Sequence, residues 1–132
     1  MTLVIAKVKL KGTKNEYIST ALVDTGARMS LIDKSIADRI GVELTGREID
    51  FVSVSGHVVR ASEAVVRELE IERELLKYEA VAVAEIPEAV KETLTRSELD
   101  GRVIVGLLTL ERANMLPDTA TGTLKRVGSF IL

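Results

Sequence analysis

The sequence predicts a mainly β fold, a small closed β-barrel carrying one to three short helices. Three observations lead there. Strand-like runs with apolar residues at alternate positions recur along the chain, turn residues interrupt them at short intervals, and helix signals are few. In 132 residues, many short strands and few helices favour a barrel over a sheet flanked by helices.

Val4, Ala6, Val8 and Leu10 alternate with more polar neighbours, Lys11-Gly12-Thr13-Lys14-Asn15 has turn chemistry, and residues 17–23 are again strand-like. The chain therefore opens with a hairpin whose second strand delivers Asp24. Ala27-Arg28-Met29-Ser30-Leu31-Ile32 reads as a further strand leading out of the turn. Asp33 is placed to cap a helix through Ile40, with Ile36, Ala37 and Ile40 on one face and Gly41 as terminator. Residues 48–54 and 58–61 form two β-rich arms joined at Ser55-Gly56-His57, a hairpin pattern. Residues 63–71 and 75–84 make a second hairpin across Glu72-Arg73-Glu74, although the first of these arms also has helix-forming composition. Pro87 opens a short helix over residues 87–94. Val103-Ile104-Val105 is a compact apolar strand closed by Gly106, and Leu107-Leu108-Thr109-Leu110 begins another short helix. Residues 123–132 read as a closing strand. No repeat, linker or low-complexity segment divides residues 1–132, which are expected to form one domain.

Composition narrows the chemistry. Cysteine is absent and His57 is the only histidine, so neither thiolate nor histidine metal sites are expected, and no cofactor is implied. The 18 basic and 20 acidic residues nearly balance, and no basic block suggests nucleic acid. The first ten residues are apolar but interrupted by lysines, which reads as a strand and not as a signal peptide. Apolar runs fall far short of a membrane span. The expectation is a cytoplasmic protein with no membrane partner.

The most informative stretch is Ala21-Leu22-Val23-Asp24-Thr25-Gly26-Ala27, an apolar strand that ends on a carboxylate. Packing explains such an aspartate poorly, because buried carboxylates are costly unless paired or hydrogen-bonded. Thr25 adds a hydroxyl that donates and accepts, and Gly26 permits close approach of another backbone. The tripeptide also spells an ordinary turn, so context must decide. Asp-Thr-Gly-Ala followed far downstream by two hydrophobic residues and Gly106 resembles the retropepsin-like, or retroviral-type, aspartic proteases.

The resemblance implies the same barrel and assigns roles. Asp24, Thr25 and Gly26 would be the catalytic triplet, and Ile104, Val105 and Gly106 the strand that supports their loop. The hairpin at Ser55-Gly56-His57 occupies the place of the family's flap. Ala27, Arg28, Val54, Ser55, Gly56 and His57 would then contact an extended peptide, His57 without a catalytic role. Apolar pockets would draw on Val52, Val54, Ile104 and Leu107.

Aspartic proteolysis needs two facing carboxylates with a water between them, one ionised to take its proton and one protonated to polarise the carbonyl. As is known for aspartic-protease dyads, two like charges so close cannot both ionise easily, and the pair titrates as a unit. Only one Asp-Thr-Gly is present here. Asp118-Thr119-Ala120 lacks the glycine and the preceding apolar strand. A symmetric homodimer with two copies of Asp24 on its axis follows, and the resemblance adds Thr25 hydroxyls interlocked across that axis. An acidic pH optimum is expected.

Two positions depart from the retroviral pattern. Arg28 stands where those enzymes carry aspartate, and Leu107 where they carry arginine after the distal glycine, so their ion pair is absent. Arg28 is either a substrate contact or a solvated surface side chain. The apolar tail Phe130-Ile131-Leu132 is a candidate dimer strand, or a strand laid on its own barrel. The alternative function is a noncatalytic peptide-binding or dimerisation module of the same fold, and a third is a β-rich module whose Asp24 merely caps a turn.

Overall fold

The computed structural model describes residues 3–52, 56 and 58–128. The chain opens with β1 (Ile5–Lys11) and β2 (Glu16–Val23), an antiparallel hairpin whose inward residues Ala6, Val8, Leu10, Ala21 and Val23 are buried. Strand alternation alone explains that selection. After the Asp24 loop come the short β3 (Leu31–Asp33) and α1 (Lys34–Ile40). Asp33 caps α1 by accepting a hydrogen bond from the Ser35 N–H, and Ile36, Ala37 and Ile40 form its buried face, as expected.

A long hairpin pairs β4 (Glu43–Val52) with β5 (Val58–Ile71), and β5 also pairs with β6 (Glu74–Ala84) across a turn at Glu72 and Arg73, both at positive φ. The two hairpins read in the sequence therefore share one continuous 14-residue strand. Residues 62–66 and 68–71 pair with β6 along their length, which removes the helical reading of residues 63–71. The remaining elements are α2 (Glu88–Arg96), β7 (Val103–Val105), α3 (Leu107–Ala113) and the separate hairpin β8 (Met115–Asp118) with β9 (Thr123–Arg126). The sequence reading missed β8, whose Pro117 argues against a strand; Pro117 stands in a two-stranded ribbon, where proline is tolerated at an edge.

Among the described residues, six strands run in the order β1-β2-β7-β3-β6-β5, and β5 returns to β1, closing a barrel. β4 continues outward from β5. Closure explains the core: Leu10, Ile32, Leu69, Ile71, Val81, Val103 and Val105 are all under 2% exposed, each contributing about 1.5–3 kcal/mol by burial. A second apolar cluster of Met29, Ala61, Ala82 and Ala84 is covered by Ile49, Phe51 and Val59 from the β4–β5 hairpin. A third joins Leu94 and Leu99 to Ile104. Leu31 packs against both. No described helix is long and apolar enough to cross a membrane.

Candidate active site

The site begins with the position of β7. This strand lies between β2, to which it is parallel, and β3, to which it is antiparallel, so the chain segment joining β2 to β3 must pass over its end. That segment is residues 24–30. All three side chains of β7 are buried, which accounts for the run Val-Ile-Val.

Backbone bonds fix the loop from below. The Asp24 N–H donates to the Val105 carbonyl at 2.8 Å, and the Ala27 N–H donates to the Asp24 carbonyl at 3.1 Å. Two first-turn amides of α3 donate upward, Leu107 to the Ala27 carbonyl at 2.8 Å and Leu108 to that of Arg28 at 2.9 Å. The loop thereby caps a helix that has no side-chain cap of its own. This is also why residues 27–30 are not the strand expected of them: the Ala27 and Arg28 carbonyls serve α3, the Ser30 carbonyl accepts from the Ala82 N–H, and only Leu31–Asp33 pairs as β3.

Gly106 is the tightest point. A Cβ there would lie 2.3 Å from the Met29 carbonyl carbon and 2.4 Å from its oxygen. No other residue fits beneath the loop without moving its backbone. The Gly106 N–H donates to Ser30 Oγ at 3.0 Å, and Ser30 Oγ lies 2.6 Å from Thr109 Oγ1.

Asp24, Thr25 and Gly26 are exposed at the top of this crossing. Asp24 Oδ1 accepts from the Gly26 N–H at 2.9 Å, while Oδ2 has no partner among the described residues. The carboxylate is thus oriented by its own loop and open on one side. A Cβ on residue 26 would sit 3.1 Å from Oδ1, so glycine leaves that oxygen room.

The β4–β5 hairpin rises beside the loop, since Phe51 and Val59, paired near its tip, pack in the cluster that contains Met29. Val52 and Val58 pair across its mouth and are 73% and 63% exposed. Gly56 has φ +85°, the left-handed conformation that suits glycine at a tip. Val54, Ser55 and His57, assigned to substrate contact from the sequence, lie outside the described residues, as does the tail Phe130-Ile131-Leu132.

Ala27 is half-buried, and Arg28 is exposed with no ion pair among the described residues. Leu107 is 37% exposed, whereas Ile104 is only 9% exposed and packs against Leu94 and Leu99. Glu79, Thr109 and Arg112 were not singled out from the sequence, yet they lie directly under the loop: Thr109 Oγ1 donates to Glu79 Oε2 at 2.8 Å, and Arg112 donates to Glu79 Oε1 at 2.8 Å. Beyond the loop, Asp33 is buried and accepts from Ser35, the Ile86 N–H and Lys91. Burial pushes its carboxyl up, but those bonds outweigh burial and hold it below the ordinary value.

Residues 6–112 match the aspartyl protease family. The structure is similar to the retroviral protease-like domain of Ddi1 from Leishmania major, with 21% identity, a TM-score of 0.58, and coverage of 96% of this chain and 89% of that one. It is also similar to EIAV protease, solved in complex with the inhibitor HBY-793, with 18% identity, a TM-score of 0.52, and coverage of 83% and 85%. No curated protein matches the chain. The closed six-stranded barrel is thus the retropepsin-like fold.

Proposed function

The chain belongs to the aspartyl protease family, and from that membership we propose that it is an aspartic endopeptidase working as a symmetric homodimer. One observation carries the reading: Asp24 is exposed at the crossing over β7, with Oδ1 held by Gly26 and Oδ2 open. Its mate in a second copy supplies the other carboxylate. A water between them loses its proton to the ionised partner and attacks the peptide carbonyl, which the protonated partner polarises, with no covalent intermediate.

The remaining roles follow from this arrangement. Thr25 hydroxyls interlock across the axis, and Gly26, Ala27 and Arg28 border the substrate strand. The β4–β5 hairpin, with Val54, Ser55, Gly56 and His57 at its end, covers an extended peptide and excludes water. Ile104, Val105 and Gly106 support the floor, and residues 1–132 act as one domain. With Arg28 and Leu107 in place of the retroviral ion pair, the dimer is held by other contacts.

Sedimentation of the purified chain, combined with peptide cleavage by wild type and Asp24→Asn, tests the proposal. Both proteins should be dimers, only wild type should cleave, and cleavage should be fastest at acidic pH. A cleaving monomer, or a rate flat from acid to alkali, would overturn it. A chain that binds extended peptides without cutting them would instead be the noncatalytic module.

A further inference from the structure

Glu79 is a carboxylate where the barrel should be apolar. The alternation that turns Val81 and Val83 inward turns Glu79 inward too, and it is 5% exposed. Such a group needs partners, and Arg112 and Thr109 provide them. Arg112 also donates to the carbonyls of Lys77, at 2.6 Å, and Tyr78, at 3.4 Å, so its guanidinium is anchored on β6 as well as on Glu79.

The hydroxyl directions are then determined. Thr109 spends its one proton on Glu79, so toward Ser30 it can only accept. Ser30 therefore donates to Thr109 while accepting from the Gly106 N–H. The same peptide group that offers this N–H offers the Val105 carbonyl to the Asp24 N–H. Every donor in the series points the same way, from Asp24 through the Val105–Gly106 peptide, Ser30 and Thr109 to Glu79. Aligned hydrogen bonds of this kind polarise and strengthen one another.

We propose that Ser30, Thr109 and the Glu79–Arg112 pair are positioning residues for Asp24: a one-directional relay, terminated by a buried anion, that fixes the height and orientation of the Asp24 peptide. The inference rests on the endopeptidase reading for its kinetic consequence and on geometry alone for its structural one. None of the relay groups touches substrate. Their effect reaches the chemistry through the placement of Asp24, where small displacements are expensive.

The test is Thr109→Val, which keeps shape and deletes the hydroxyl, with Thr109→Ser as rescue and Glu79→Gln as a second break. Peptide cleavage is measured on dimers well below each melting temperature, alongside hydrogen exchange at individual amides. In Thr109→Val, kcat should fall about tenfold or more with KM within about twofold, and Thr109→Ser should restore it. Exchange at the Asp24 and Gly106 amides should quicken while β1 amides keep their rates. A lowered melting temperature with unchanged kcat and unchanged Asp24 exchange would overturn the proposal, leaving the cluster a stability element only. Should Thr109→Val not fold, Glu79→Gln carries the same two readouts. Should wild type cleave nothing, the endopeptidase reading falls by itself, and exchange at Asp24 alone decides the relay: faster supports it, unchanged rejects it.

Discussion

Asp24-Thr25-Gly26 and Asp118-Thr119-Ala120 begin with the same chemistry and the same local bond. In each, the aspartate Oδ1 accepts from the N–H two residues on, at 2.9 Å. The turn is thus generic, and so is the sequence signal for it. What differs is beneath. The turn at Asp118 joins β8 and β9, the Gly122 N–H closes it onto the Asp118 carbonyl, and the Ile5 N–H ties it to the barrel through the Gly122 carbonyl. The Asp24 loop crosses the end of a buried strand, donates to its last carbonyl, caps a helix and needs Gly106 under it. A local motif becomes a site only when long-range topology holds it on several sides.

Two other aspartates sharpen the contrast. Asp33 and Asp100 accept the same i+2 amide bond, from Ser35 at 3.2 Å and Arg102 at 3.0 Å. Each also spends carboxylate oxygens on structure: Asp33 on Ile86 and Lys91, Asp100 on Tyr17 at 2.6 Å and Ser19 at 2.9 Å. Asp100 together with burial raises the Tyr17 hydroxyl above its ordinary value, burial being the larger cause. Asp24 is spared such duties.

The comparison can be broken most directly at the carboxylates themselves. Asp24→Asn should lower peptide cleavage about 100-fold or more, whereas Asp118→Asn should leave it within about twofold, as read in a single peptide assay. Next in size is the floor of the loop. Gly106→Ala should cost about 3 kcal/mol in urea denaturation, because the added methyl meets Met29 backbone and not a yielding side chain. Asp33→Asn should cost about 2 kcal/mol at neutral pH by removing the charge that Lys91 and the Ile86 amide face. Since the folded Asp33 carboxyl sits below its ordinary value of 3.8, its contribution is complete above that pH and fades as pH falls through the lower folded value. The gap between wild type and Asp33→Asn should therefore narrow in acid. Smallest is Ala120→Gly, which completes the second Asp-Thr-Gly. It should change stability by less than about 1 kcal/mol and restore no cleavage to Asp24→Asn, because that turn joins β8 to β9 and is not the loop that crosses the end of β7.

Much of this was legible in the chain. Alternation gave the β1–β2 hairpin, Asp33 and Gly41 bounded α1, and the pairing of Asp24-Thr25-Gly26 with Val103 to Gly106 located both halves of the loop crossing. The relay below the loop was not legible. Ser30, Glu79 and Thr109 are common residue types dozens of positions apart, and only the passage of β7 between β2 and β3 brings them together. The available signal was Glu79, charged and in phase with Val81 and Val83. The dual service of β5 was hidden for a related reason, since pattern shows which residues face inward but not how many neighbours one strand has. The strand reading of residues 27–30 fails because the Ala27 and Arg28 carbonyls bond to a helix downstream.

The capping of α3 by the Ala27 and Arg28 carbonyls has one more implication. Those carbonyls tether the loop to its own chain, so under the proposed homodimer a lone molecule would already hold its half in shape and meeting a twin would not have to organise it. Abundance would then act as the throttle: a scarce protein stays silent and a crowded one wakes, with turnover climbing as the square of its amount until pairing saturates.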